Sequence, residues 1–198
     1  MSSEKFSRDL LKEAETLVNA IPTDNRDIVE GFTIDSETSM DLDDGINLHS
    51  YDDYFRLEVS ISDVASVVHP DTKVFNEALK RVETEYLRLN NIPMIPRILS
   101  ENQLSLLPSA LRPAITFFID LDKNLEILNI SIKETLFKNL KKLSYQEFDK
   151  IITSDKEHPY KEKFITMAKL SDTLLNMRRN KGALVIYDLK KGIATNEE

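Results

Sequence analysis

Five acidic side chains fall within the twelve residues IDSETSMDLDDG (34–45): Asp35, Glu37, Asp41, Asp43 and Asp44. Carboxylates held within about 4–6 Å of one another raise each other's pKa unless a cation lies among them. Hard divalent cations such as Mg²⁺ take such oxygens as ligands and keep other positions for water and phosphate oxygens. Two such ions ~3.5–4 Å apart activate a water and steady the leaving oxygen of a phosphodiester. Residue types alone leave two readings open, a solvated acidic loop and a metal site. In an extended segment Asp41 and Asp43 face one way and Asp44 the other. Bringing all three together calls for a turn, which Gly45 is expected to supply. Gly31 and Gly45, two of only four glycines, bracket the segment. An EF-hand is excluded, because counting from Asp41 puts Ile46 at the glycine position and Asp52 at the bidentate glutamate position.

Other chemistry is sparse. His49, His69 and His158 are scattered, with no zinc-ligand spacing. Ser60, Ser62 and Ser100 have no base near them in sequence, so nucleophilic catalysis has no support. Tyr86-Leu87-Arg88 sets an aromatic beside a cation on a short extended stretch, which suits either a base-stacking platform or a core or rim position.

The elements that must position these groups are legible as periodicities. Leu10, Leu11, Ala14, Leu17 and Val18 recur at helical spacing over 7–20, with Ser7 as N-cap, until Pro22 breaks the run. Residues 1–27 are therefore expected to form a helical appendage and 28–198 the main domain. From Glu30 the period changes to that of strands: 31–35, 45–50 and 55–64, the last two joined by a turn at 51–54. In 55–64, Phe55, Leu57, Val59 and Ile61 alternate with Arg56, Glu58, Ser60 and Ser62, which predicts one buried face and one polar face. A short helix over 72–82 is expected with Asp71 as its cap, after Pro70. Residues 90–113, with four of the seven prolines and many apolar residues, read as an irregular crossing packed onto the body. A hairpin turning at 122–124 follows, then a helix opened by the capping box Ser144 and Glu147. The longest helix, 160–180, carries a stripe of Phe164, Met167, Ala168, Leu170, Leu174, Leu175 and Met177, and a last strand is expected at 183–189. The fold class is α+β, a mixed and mostly antiparallel sheet with flanking helices.

Of the 198 residues, 41% are hydrophobic and 30% charged, the balance of an ordinary globular chain. No run approaches the ~18 apolar residues of a membrane span, so no membrane partner is expected. The N-terminus lacks the basic start and apolar core of a signal peptide. The absence of cysteine excludes disulfides and thiolate metal sites and suits a reducing cytoplasm. A net charge of −8 argues weakly against nucleic acid, softened by the local clusters KNLKK (138–142) and RRNKG (178–182).

FTIDSETSMDLDDGI (32–46) resembles the active-site segment of the ribonuclease II/R family, the RNB-domain exoribonucleases. LEVSISDVASVV (57–68), EYLRLNNIPMIPRILSENQLSLLP (85–108), KKLSYQEF (141–148) and RRNKGALVIYDL (178–189) are similar to further segments of that family, in the same order, over about residues 28 to 190. The resemblance implies an Mg²⁺-dependent, processive 3′→5′ exoribonuclease that hydrolyses single-stranded RNA to nucleoside 5′-monophosphates, with Mn²⁺ as an alternative cation. By the same resemblance Asp35 and Asp44 would hold the metal directly and Asp41 and Asp43 would complete the cluster, Asp43 being the most critical for the chemistry. Tyr86 would stack near the 3′-terminal nucleotides.

The departures carry expectations too. Gly45 stands where the family usually has alanine, and Ser60 where it usually has histidine. The second stacking aromatic aligns with Ile186, beside Tyr187. The resemblance stops about halfway through the family's catalytic domain, before a phosphate-binding arginine, the far half of the RNA channel and the S1 domain. No cold-shock domain precedes it; the N-terminal helix stands in its place. The expectation is a truncated catalytic domain that self-associates or binds a partner chain over the uncovered surface. A second function class follows: an impaired module that binds metal, RNA or a partner without turnover.

Overall fold

Period-2 segments from Asp27 onward close into a barrel. The computed structural model describes residues 5–19, 25–87, 91–108 and 110–183, and the chain divides into two compact units, Met1–Lys150 and Ile151–Glu198. In the first unit the strands β1 (Asp27–Asp35), β2 (Asp44–Ser50) and β3 (Tyr54–Ser62) are followed by the short pair β4 (Glu85–Tyr86) and β5 (Asn91–Ile92), then β6 (Arg112–Asp122) and β7 (Ile127–Ser144). The barrel order is β1-β2-β3-β6-β7, antiparallel throughout except for the parallel closure of β1 on β7, which runs from Asp27 opposite Thr135 to Asp35 opposite Ser144. The expected α+β class with a mostly antiparallel mixed sheet is the one seen.

Closure turns one expectation inside out. On β3 the row read as the polar face turns inward at its end, with Ser60 1% exposed, while Ile61 of the row read as buried is 39% exposed. The Ser60 hydroxyl bonds that of Thr116 at 2.8 Å, and Thr116 bonds Thr135 at 2.7 Å. Small polar side chains line this stretch because the Phe137 ring projects across it against Gly31 and Gly45. Gly45 is likewise not a turn residue. It lies within β2, opposite Ser60, and its lack of a side chain makes room for the Phe137 ring.

Two helices pack on the barrel unit. Helix α1 (Arg8–Val18), capped by Ser7, buries Leu10 and Ala14 in a cluster with Val67, Val68, Val74, Ile95, Leu99 and Leu104. The break expected after it falls largely on residues 20–24, outside the described ones. Helix α2 (Lys73–Arg81) is capped by Thr72 and not by Asp71: the Thr72 hydroxyl accepts from the Phe75 N–H at 3.0 Å and donates to the His69 carbonyl at 2.7 Å. Thr72 can answer both groups at once, whereas an aspartate only accepts. Glu13 of α1 takes the next free amide, that of Val74, at 2.8 Å. The proline-rich crossing is packed down as expected, burying Ile95, Leu99, Leu104 and Leu106.

Helix α3 (Tyr145–Thr153) opens on the expected capping box, Ser144 Oγ accepting from the Glu147 N–H at 3.0 Å and Glu147 accepting from the Ser144 N–H at 3.4 Å. The second unit carries α4 (Lys161–Asn180), which buries Phe164, Met167 and Leu170 of the expected stripe. The strand expected at 183–189 lies outside the described residues from 184 on. Among the described residues no helix is long and apolar enough to cross a membrane.

One ion pair across the barrel wall yields a pH-dependent expectation. Arg56 donates to both oxygens of Asp120, at 2.7 and 2.9 Å, which holds the Asp120 carboxyl below the usual 3.8. A depressed folded pKa contributes stability above the unfolded value and loses it as pH falls through the folded one. Thermal melts at pH 7 should therefore place Asp120→Asn about 1 kcal/mol below the wild type. The gap should shrink once the pH drops below 3.8; a gap that persists unchanged there excludes the charged pair as its source.

Candidate active site

The four aspartates meet at one rim of the barrel. Asp35 ends β1 and Asp44 opens β2, and the two strands are antiparallel neighbours with Phe32 opposite Ile46. The loop between them, 36–43, is fastened along its length. Lys142 of β7 donates to the carbonyls of Glu37 at 3.0 Å and Ser39 at 2.5 Å. Leu42 is fully buried; its N–H donates to Ser105 Oγ at 2.9 Å and its carbonyl accepts from the Leu106 N–H at 2.9 Å. The Asp43 carbonyl accepts from the Ser62 N–H at 2.8 Å. With Leu42 anchored inward, its neighbours Asp41 and Asp43 are turned away from the core.

The electrostatics record the convergence. Burial, then the charges of Asp44 and Asp41, push the Asp35 carboxyl above the usual 3.8, while Lys142 pulls the other way. Asp43 is open to solvent on one side and crowded by protein atoms on the other. That crowding, followed by Asp41, Asp44 and Asp35, raises its pKa as well. Tyr86 on β4 donates its hydroxyl to Asp41 Oδ2 at 2.7 Å while the residue remains 67% exposed. That bond, then burial, pushes the phenol up to about 12. Glu37 takes part only through its carbonyl.

Sequence reasoning passed over two neighbours of this rim. Tyr145, read only as a residue of the helix after the capping box, has its phenol raised by burial and by Asp35 and Asp44. No local sequence signal marked it, because its nearness to Asp35 follows from the pairing of β1 with β7, about a hundred residues apart. Lys142 belongs to a cluster read as permissive for nucleic acid. In the fold Lys138 pairs with Glu30 at 2.7 Å, Lys141 with Glu147 at 3.1 Å, and Lys142 holds the acidic loop. Arg88, Ile186 and Tyr187 lie outside the described residues.

The donor set suits a hard divalent cation: four carboxylates coupled through space, no sulfur and no imidazole, with Lys142 acting against them on Asp35. In the conformation seen, no group of three or more His, Cys, Asp or Glu side chains among the described residues is drawn in to metal-holding distance. The two observations differ in range. Through-space repulsion couples all four carboxylates, while ligation needs them to converge further by side-chain rotation.

A model of the RNB domain matches residues 24–198. Ribonuclease R of Chlamydia pneumoniae is 32% identical over 190 residues, which is 92% of this chain and 28% of that protein. The chain thus spans under a third of that relative's length. A protein of Arabidopsis thaliana named inactive exonuclease DIS3L2 is 38% identical over 122 residues, 61% of this chain and 12% of its own. Among solved structures, RNase R of Mycoplasma genitalium in complex with ribose-methylated single-stranded RNA has the same fold, with a TM-score of 0.79 at 24% identity over 91% of this chain and 30% of that one.

Proposed function

The chain belongs to the RNB domain family, and from that premise we propose that it hydrolyses single-stranded RNA from the 3′ end, releasing nucleoside 5′-monophosphates with Mg²⁺ at the acidic rim. The observation that supports this most is the gathering of Asp35, Asp41, Asp43 and Asp44 at one barrel edge, with Tyr86 bonded to Asp41. Mg²⁺ bound there, or Mn²⁺ in its place, supplies charge neutralisation, a more acidic water and stabilisation of the leaving oxygen. Asp35 and Asp44, on two adjacent strands, would be the direct ligands, and Asp41 and Asp43 would complete the set. In the reaction the oxygen of a water bonds to phosphorus and the P–O3′ bond of the preceding nucleotide breaks. Asp43, which burial and three neighbouring aspartates hold above the usual 3.8 in the metal-free protein, would be the residue of the set most critical for the chemistry. The 3′-oxygen takes up a proton and remains on the shortened RNA.

Tyr86 presents an exposed ring at the rim while its hydroxyl steadies Asp41. Stacking on such a ring contributes ~1–3 kcal/mol per base. Tyr86→Ala is therefore expected to weaken binding of a short 3′-ended RNA by about tenfold or more, with Tyr86→Phe retaining most of the affinity. Equal loss in both variants would move the role from the ring to the hydroxyl.

The direct test is a 3′-labelled single-stranded RNA incubated with the purified chain and Mg²⁺, then with chelator. Labelled mononucleotide released first, and only with the cation, is the expected result. RNA bound intact under both Mg²⁺ and Mn²⁺ supports the second reading, a binding module without turnover in the cytoplasm. What favours that reading is the chain's likeness to a protein named inactive. The first half of β7 exposes Ile127, Leu128, Ile130 and Ile132. These residues fit self-association or a partner chain covering this surface, which would appear as mass rising with concentration in sedimentation.

A further inference from the structure

We propose that Ser105 is the positioning residue that sets Asp41 and Asp43 for cation binding, a role that rests on the reading of the acidic rim as a cation site. Ser105 is fully buried, and its single hydroxyl bonds the backbone on both sides of Asp41. Oγ accepts from the Leu42 N–H at 2.9 Å and donates to the Met40 carbonyl at 2.6 Å. A hydroxyl can do both at once; an alanine does neither and leaves two peptide groups without a partner.

Ser105 is itself held from both sides of the barrel. The preceding Leu104 carbonyl accepts from Ser62 Oγ of β3 at 2.5 Å. The following Leu106 carbonyl accepts from Asn139 Nδ2 of β7 at 2.6 Å, and the same amide reaches Thr33 Oγ1 of β1 at 2.9 Å. The Leu106 N–H then closes on the Leu42 carbonyl, and the Ser62 N–H on that of Asp43. Segment 104–106 is thus a strut between two walls of the barrel, and Ser105 is the point where the acidic loop is fastened to it. The need for a fastening follows from charge. Asp35, Asp41 and Asp44 all act on Asp43 with the same sign, so a loop free to relax would carry Asp41 and Asp43 apart. The serine spends its hydrogen bonds holding them where a divalent ion can draw all four in.

The test measures Mn²⁺ alone, by the loss of the free-ion electron paramagnetic resonance signal on titration into the full chain, with no RNA present. Ser105→Ala is expected to raise the Mn²⁺ concentration at half-saturation by about tenfold or more, the range for residues that orient ligands. Ser105→Cys keeps the side-chain shape with a somewhat larger atom that hydrogen-bonds weakly, and it carries the same expectation should Ser105→Ala not fold. Thr116→Val removes one equally buried hydroxyl, which bonds Ser60 and Thr135 inside the barrel and makes no bond to the loop 36–43. It should lower the melting temperature while leaving Mn²⁺ binding within about twofold. Unchanged half-saturation in the Ser105 variants, or equal weakening in Thr116→Val, overturns the positioning role. Wild-type protein that binds no Mn²⁺ at all overturns the cation reading beneath it.

Discussion

Asp43→Asn is expected to abolish mononucleotide release, by a factor on the order of 10³ or more, and at the same time to raise the melting temperature of the metal-free protein at neutral pH. The two effects have one cause. Burial and three like charges lift the Asp43 carboxyl above the usual 3.8, and Asp35 is lifted with it. A carboxylate whose folded pKa is raised contributes stability below 3.8 and loses it as pH rises through the folded value. Near pH 7, without a cation, the charged rim therefore works against the fold, and a neutral amide of the same shape relieves it. For a chain of this size each kcal/mol relieved shifts the midpoint by roughly 2–4 °C. Added Mg²⁺ should stabilise the wild type by mass action, more at pH 7 than at pH 5, and Asp43→Asn much less. The readouts are calorimetric melts with and without Mg²⁺ across that range, together with the RNA assay. Turnover surviving in Asp43→Asn would remove Asp43 from the mechanism, and a lowered metal-free melting temperature would contradict the electrostatic account.

The second large effect is at Gly45. In an ordinary strand, replacing glycine by alanine stabilises by ~0.5–1 kcal/mol, because glycine loses more freedom on folding. Here a Cβ at position 45 would stand 2.3 Å from Cζ of Phe137, and one at Gly31 would stand 2.8 Å from Cε2 of the same ring. Overpacking of this kind costs ~1–3 kcal/mol, so the sign reverses. Gly45→Ala should unfold at lower urea than the wild type, and it should also weaken cation binding, since Asp44 is its neighbour and must move with it. Phe137→Leu alone should destabilise by opening a void. In Gly45→Ala/Phe137→Leu the two changes should offset, with a coupling of about 1–3 kcal/mol in the double-mutant cycle. Additive losses would show that the ring and the glycine are not in contact. The departure expected at Gly45 from the family's usual alanine then has a packing reason in this chain: the Phe137 ring occupies that space.

These two sites also show where sequence reading succeeds and where it stops. The carboxylates announced themselves because their types and spacing are local, as did the strands with their period of two and the Ser144–Glu147 box. The orientation of β3 did not. Alternation says that two faces differ, but which face lies inside depends on whether the sheet closes. The cue for closure was the pairing of β1 with a strand about a hundred residues later. Gly45 looked like a turn because glycine permits turns; its partner, Phe137, is equally remote. Ser105 was invisible for the same reason, since it meets Met40 and Leu42 only across 65 and 63 positions. At Thr72 the error was smaller and local, a choice between two adjacent cap formers settled by which could also donate to His69.

The parallel seam between β1 and β7 has a consequence in time. Asp35 finds its strand partner only at Ser144, and the Lys142 ammonium that fastens the acidic loop arrives on the same late strand. During synthesis the first carboxylates emerge about a hundred residues before the strand that shuts the ring around them. A nascent chain ending before β7 has an open sheet and a loop that lacks its Lys142 contacts. Long-range closure of this kind is slow relative to local hairpins, so β1, β2 and β3 can pair in sequence while the other edge of β1 waits for β7. The last contacts that hold the acidic loop would then form only with barrel closure, so the rim would reach its final geometry late in folding.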